Sequence, residues 1–329
     1  MRLIDLPGEH DIGEHPMGAD KFVHEPLGHA DHVRKLISYF EDAHKDYRRW
    51  WMTSTALAMH FGFYDSETSN HAEALINMNR VLATRAELHS SDRVLDAGCG
   101  VGGSAIWLVR ELGVWVVGIN VVPGDIDRAR RYARRRKVAD RVTFELQDMT
   151  RTAFPDASFD VVWAIESVCH VPDKREFLAE ARRLLRPGGR LVVAEAYRRQ
   201  RPFAPADEWL LHDWLSSWAV PDLVTPDEFI SAAEQNGFAR VQFEDVSAHV
   251  RPSSRRMYRL MCVLYPLGVA GRMIGLITDV QLANRRSALV QHRVVQRDLL
   301  IYGIITATAS KTTVSGRPDR ISLKRLEQP

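Results

Sequence analysis

Val94-Leu95-Asp96-Ala97-Gly98-Cys99-Gly100-Val101-Gly102-Gly103 is the stretch on which the fold turns. It reads as an apolar strand ending in an acid, then a glycine-rich turn, then a helix predicted from Ser104 to Leu112. Glycine has no Cβ and accepts positive φ, so such a turn brings backbone close to a ligand. The helix that follows aims its free N–H groups into the same space. A small polar ligand is expected there.

Gly98, Gly100 and Gly103 match the G-x-G-x-x-G spacing of dinucleotide sites. That reading also wants an acid about 20 positions on, to hold ribose hydroxyls. The second strand, Val114 to Ile119, ends instead in Asn120. Asp96 has no role beside a pyrophosphate, which would repel it. It suits a ligand with a sulfonium and an amino group, so S-adenosylmethionine is expected rather than NAD.

Working outward, apolar runs recur at Val94-Leu95, 114–119, 142–146, 161–165 and 191–194. Helical stretches separate them, notably 124–137 and 173–185. This alternation predicts an α/β fold with a mostly parallel sheet covered on both faces. Ligands in such sheets bind at the carboxyl ends of the strands. Asp96, Asn120, Asp148 and Glu166 stand there, all polar. Residues 30–85 read as aromatic-rich helices. After Tyr197 come helices at 209–218 and 226–236, a strand at 241–246, a helical insert from 253 to about 295, and a last strand at 300–307. The expected organisation is a flexible tail over 1–29, a helical cap over 30–85 and the cofactor core over 86–200. The rest of the sheet with cap insertions follows over 201–310, and a tail over 311–329.

The 329 residues are 45% hydrophobic, with a formal net charge of +2, which argues against a dedicated nucleic-acid binder. One basic cluster, Arg128 to Lys137, reads as a solvated helix face or as a contact for an anionic partner. The three cysteines fit neither a disulfide framework nor a metal site, and a reducing, cytoplasmic setting is expected. His10, His15 and His24 show no metal spacing, and no metal site is expected in the chain. The first 27 residues lack the apolar core of a signal peptide. The longest uncharged apolar stretch, 260–271, is well short of the roughly 20 residues a membrane span needs. No integral membrane association is expected, and a homo-oligomer is allowed.

These residues resemble the class I S-adenosylmethionine-dependent methyltransferases, with a Rossmann-like doubly wound sheet. Val94 to Gly103 carries the resemblance, with Phe154-Pro155-Asp156-Ala157-Ser158-Phe159-Asp160-Val161-Val162 and Leu184-Leu185-Arg186-Pro187-Gly188-Gly189-Arg190-Leu191, together spanning roughly residues 80 to 200. His60 to Asp65, Ala164 to His170, Thr225 to Phe229 and Asn236-Gly237-Phe238 are similar to the branch holding sterol C-24 and tocopherol methyltransferases. Bacterial enzymes that C-methylate prenyl diphosphates are related. The resemblance implies that Asp96, Gly98 and Gly100 hold the amino-acid end of the cofactor and Asn120 its ribose. Gln147, Asp148 and Met149 flank the adenine, although Asp148 also reads as a helix N-cap.

Glu166 ends a buried strand facing the methyl group. It reads as a general base or as a structural acceptor, and His170 as a relay, an anchor or a plain structural histidine. An alkene acceptor would attack the methyl and leave a carbocation, which a carboxylate stabilises and deprotonates. Trp50, Trp51, Phe61, Tyr64, Trp209, Trp214 and Trp218 suggest a small hydrophobic acceptor, and aromatic faces also favour a cation. Arg251, Arg255 and Arg256 read as partners of a diphosphate, which would bring Mg²⁺ held through phosphate oxygens, or as surface charge. C-methylation of an isoprenoid is thus expected. O- or N-methylation of a natural product is the alternative, and a non-catalytic cofactor-binding protein or a nucleic-acid methyltransferase stands further off.

Overall fold

The computed structural model describes residues 28–310, so His10, His15, His24, nearly all of the 1–29 segment and the 311–329 segment lie outside the described residues. The strands are β1 (Arg93–Ala97), β2 (Trp115–Asn120), β3 (Val142–Leu146), β4 (Phe159–Ile165), β5 (Leu185–Arg198), β6 (Phe238–Asp245) and β7 (Leu300–Ala309). They form one sheet in the order β3-β2-β1-β4-β5-β7-β6. From β3 to β5 every pairing is parallel, whereas β7 runs antiparallel to both β5 and β6. The chain reverses direction across the sheet between β1 and β4, which opens a crevice at their carboxyl ends.

Period-2 alternation builds a core on each face. Val94, Val116, Val161 and Val192 point one way, into helices α2 (His71–Arg85), α3 (Gly103–Leu112) and α4 (Pro123–Arg135). Their neighbours Leu95, Val117, Val162 and Val193 point the other way. There they meet Phe177 and Leu178 of α5 (Lys174–Leu184) and Phe229 and Ala233 of α7 (Pro226–Gln235). Sheets buried on both faces read as continuous apolar runs, as these strands do. Capping marks the helix starts. Thr225 and Glu228 form a capping box before α7, and Thr278 and Gln281 another before α9 (Asp279–Gln296).

The cap is assembled from distant segments. Helix α1 (His29–Asp46) and the tight turn after it, 47–51, pack beside α4 and α9. A buried ion pair, Arg285 to Asp46 at 2.8 Å, ties α1 to α9, and Tyr39 Oη donates to Asn284 Oδ1 at 2.9 Å. Helix α6 (Pro205–Ser216) packs on α9 through Leu211, Trp214, Val290 and Val294. Several expected bounds shift. Residues 52–70 are not helical, β5 begins at Leu185 rather than 191, and the insert resolves into two helices, the first being α8 (Ser247–Met273). Arg131, Arg134 and Arg135 on α4 face solvent, while Arg128 pairs with Asp125 at 2.8 Å. Among the described residues no helix is long and apolar enough to cross a membrane.

Candidate active site

The turn after β1 shapes one wall of a cavity at the strand ends. Gly98 has φ +81°, and a Cβ there would lie 2.3 Å from Ser167 Cβ. A Cβ on Gly103 would lie 2.4 Å from the Leu57 carbonyl oxygen. Any side chain at either position would push the cap segment or the turn after β4 out of place. Gly98, Gly100, Asn120, Gln147, Asp148 and Met149 all line the cavity together with Asp96.

Asp96 is 3% exposed, and its Oδ2 is buried with no hydrogen-bond partner. Burial raises its pKa to about 7, opposed by a backbone hydrogen bond from Ala105 at the start of α3. A buried carboxylate oxygen without a partner is costly unless a cation reaches it. The residues present therefore fit a ligand carrying a positive charge beside a glycine turn, as S-adenosylmethionine does. Asn120 Oδ1 accepts from Val122 N at 3.4 Å, which leaves its amide N–H₂ available. Asp148 is not a helix N-cap. Its Oδ1 accepts from Thr150 N and Oγ1, both at 2.8 Å, closing a local turn. Its Oδ2 bonds His29 Nε2 at 2.8 Å, so α1 begins against the expected adenine position.

Glu166 stands across the crevice from Asp96, one residue beyond β4. Its φ is +47°, a left-handed conformation that costs a non-glycine residue of order 1 kcal/mol or more. The strain is held by packing: Glu166 N donates to Ala194 O at 2.9 Å. Its Oε1 accepts twice, from Phe61 N and from Tyr302 Oη, each at 2.7 Å. Burial lifts its pKa to about 8 in spite of those two donors. With Oε1 doubly engaged, Oε2 is the atom left for a ligand.

His170 lies in the short turn 168–170 and also lines the cavity. Burial lowers its pKa to about 4, so the ring is neutral at pH 7, with Nδ1 3.2 Å from Ala219 O. No hydrogen bond joins it to Glu166. Its carbonyl accepts from His32 Nε2 at 2.7 Å, a second tie from α1.

The expected aromatic set divides. Phe61, Trp214 and Trp218 line the cavity. Trp51 is in the core, its indole N–H donating to His60 O at 3.1 Å, and Trp50 packs against that core from outside the cavity. Tyr64 turns away toward His71 Nδ1, 3.3 Å from its hydroxyl, and Trp209 is 54% exposed on α6. The structure sets these four outside the cavity wall: Trp50 and Trp51 lie in the turn after α1, Tyr64 in the non-helical stretch 52–70, and Trp209 on the outer side of α6. Of the two readings of the arginines, the positions in the structure fit surface charge. Arg256 lies over the Trp51 ring, Arg255 is exposed, and Arg251 borders a smaller side pocket. No Arg or Lys is among the described residues of the main cavity wall, and no cluster of metal-binding residues occurs among the described residues. A diphosphate with its Mg²⁺ finds no matching charge on that wall.

Sequence reasoning missed several wall residues. Tyr39, Phe40 and Tyr47 come from α1 and its turn, and Tyr302 comes from β7. Glu195 follows Ala194, the partner of the last β4 residue, is 4% exposed, and accepts from Cys169 N at 2.9 Å. Burial raises its pKa to about 7. It had a signal, since it follows the apolar run 191–194 as Glu166 follows 161–165. Tyr302 had none.

Known proteins resemble this chain in sequence and in fold. The profile described as "Methyltransferase domain" matches residues 95–193. The chain is 37% identical to the 27-O-demethylrifamycin SV methyltransferase of Amycolatopsis mediterranei, over 59% of this chain and 71% of that protein. It is 32% identical to Methyltransferase GfsG of Streptomyces halstedii, over 72% and 85%. It is 37% identical to the sterol 24-C-methyltransferase of Eremothecium gossypii, over 49% and 44%. Among solved structures, the [4+2]-cyclase SpnF superposes with a TM-score of 0.69 at 22% identity, over 84% of this chain and 95% of that one, a likeness of fold alone.

Proposed function

The chain belongs to the class I S-adenosylmethionine-dependent methyltransferases, and from that premise we propose that it methylates a neutral, hydrophobic small molecule at an alkene carbon, with Glu166 as the base. The cofactor, when bound, supplies an electrophilic methyl group on a sulfonium. The protein's own part is to hold that group and receive a proton. Asp96 pairs its unpartnered Oδ2 with the cofactor's positive end, the Gly98 and Gly100 backbone lies against it, and Asn120 offers its amide to the ribose. Gln147, Asp148 and Met149 border the adenine, with His29 giving up Asp148 as the adenine arrives.

On the acceptor side the observation that carries the reading is Glu166. One of its oxygens is fixed by Phe61 N and Tyr302 Oη, and the other is free in a wall built from Phe40, Phe61, Trp214 and Trp218. Attack by the alkene leaves positive charge on the acceptor. Aromatic faces favour that charge by about 0.5–2 kcal/mol each once water is excluded. Glu166 Oε2 removes the neighbouring proton, helped by a pKa close to the working pH. Neutral His170 anchors the turn and packs edge-on against Phe40. Because the described wall carries no arginine or lysine, the acceptor is neutral where it meets this wall: sterol-like or a bare polyene rather than a diphosphate.

A second reading has its own support. The relative sharing most of its length at 37% identity is named for transfer to an oxygen. A hydroxyl acceptor would use the same Glu166 to take its proton, with no cation formed. The deciding experiment is methyl transfer from labelled S-adenosylmethionine to a panel of sterols, polyprenes, prenyl diphosphates with Mg²⁺ and polyketide phenols, with products placed by NMR. A new C–CH₃ on a neutral polyene or sterol is expected. Transfer to a hydroxyl oxygen selects the second reading, and turnover confined to diphosphates overturns the neutral acceptor.

A further inference from the structure

Nine large hydrophobic side chains are well exposed among the described residues, and six of them fall within 263–276. Val263, Leu267, Met273, Ile274 and Leu276 are between 62% and 83% exposed, and Val269 is 39% exposed. They crowd the far end of α8 and its turn into α9. The near part of α8 is anchored, burying Val250, Met257, Met261 and Leu264, with Gly268 closing on Arg285 of α9. Beyond Gly268 no residue of α8 is buried. The hairpin is therefore well packed at its root and bare at its tip, and a bare apolar patch of this kind marks an interaction site.

Charge says what covers it. Residues 246–278 contain five arginines and no aspartate or glutamate. Arg272 pairs with Asp279 and Arg256 is spent on Trp51, but Arg251, Arg255 and Arg259 are exposed and form no ion pair with any described residue. These three stand four apart, and the same spacing continues through Val263 and Leu267, so one ridge of the helix passes from basic to apolar toward the tip. Two copies meeting across a two-fold axis would set these arginines against each other. An anionic bilayer meets both halves, with acyl chains taking the tip and phosphate headgroups the arginines.

We propose that the α8–α9 hairpin docks this protein on an anionic membrane surface, with Met273, Ile274 and Leu276 inserted below the headgroups and Arg251, Arg255 and Arg259 against them. Docking is peripheral, in keeping with the absence of a spanning helix among the described residues. It holds whichever atom the enzyme methylates. Met257, on the same helix, faces the cavity, so a docked hairpin sets the acceptor site beside the phase that would dissolve a hydrophobic acceptor.

The test is co-sedimentation of the full chain with vesicles of phosphatidylcholine alone or with about 30% phosphatidylglycerol. At least tenfold stronger partitioning to the anionic vesicles is expected. Ile274→Asp with Leu276→Asp should lower it at least tenfold, as should Arg255→Glu with Arg259→Glu, with Tm and methyl transfer in solution unchanged. Should the tip variant lose stability, the arginine variant stands in for it. No sedimentation with anionic vesicles, or equal sedimentation by wild type and variants, overturns the proposal. So does a vesicle-free dimer in analytical ultracentrifugation that the tip variant abolishes, which would give the face to a second copy.

Discussion

The two sides of the cavity are built in opposite ways. The side proposed for the cofactor comes from one continuous stretch, 96–149, in which each strand end supplies its own residue: Asp96, Asn120, then Gln147 to Met149. The side proposed for the acceptor is gathered from α1, the 57–61 segment, the ends of β4 and β5, α6, α8 and β7. Asp96 and Glu166 show the difference at one carboxylate each. Desolvation raises the pKa of both, but Asp96 takes its backbone hydrogen bond from Ala105, nearby in sequence, whereas Glu166 Oε1 is held by donors 105 and 136 residues away. A side made by local chemistry suits a ligand common to many proteins. A side made by distant segments can be rebuilt for a new acceptor without touching the first.

If that division is real, damage to one side should leave the other intact. The largest effect is expected for Glu166→Gln, which should cut kcat by about 10²–10⁴-fold. Calorimetry should find cofactor affinity unchanged, and a matching loss of cofactor binding would erase the comparison. In the wild type, kcat should rise with pH through about 8, because Glu166 can accept a proton only after losing its own. Tyr302→Phe removes a donor to the charged form and should move that limb upward.

Asp96→Asn should act on the opposite side. Losing one partner of a buried charge pair costs about 2–5 kcal/mol, here in cofactor affinity. Wild-type cofactor affinity should itself rise as pH rises through about 7, since Asp96 must be deprotonated to pair with a cation. A flat profile between pH 6 and 8 would remove Asp96 from that role.

The smallest effect separates aromatics within the cap. Trp218→Leu should raise the acceptor KM several-fold with cofactor affinity unchanged, while Trp209→Leu should change neither, because only Trp218 reaches the cavity. Steady-state kinetics on both variants checks this, and equal effects would mean the cap closes differently around its acceptor.

What was legible follows the same line. The five parallel strands, the glycine turn and the polar strand ends each announce themselves within a few residues, because burial on both faces demands apolar runs and the turn demands glycine. Glu195 was equally readable by that rule. The aromatic cap was not. Trp50, Trp51, Tyr64 and Trp209 are large aromatics like Trp214 and Trp218, yet tertiary packing sends the first four away from the cavity and the last two into it. The arginines at 251, 255 and 256 were ambiguous for the same reason, and the fold directs them outward or onto Trp51.

The sequence by itself determined the sheet, its cofactor turn and the acids at its strand ends, since these depend on period-2 burial and on backbone that only glycine allows. Tertiary structure alone decided which oxygen of Glu166 is free, because Phe61 and Tyr302 reach it only after the chain has closed. It also decided that no arginine or lysine lines the described acceptor wall and that the α8–α9 tip stands bare. Direction in space is a property of packing, and no local pattern encodes it.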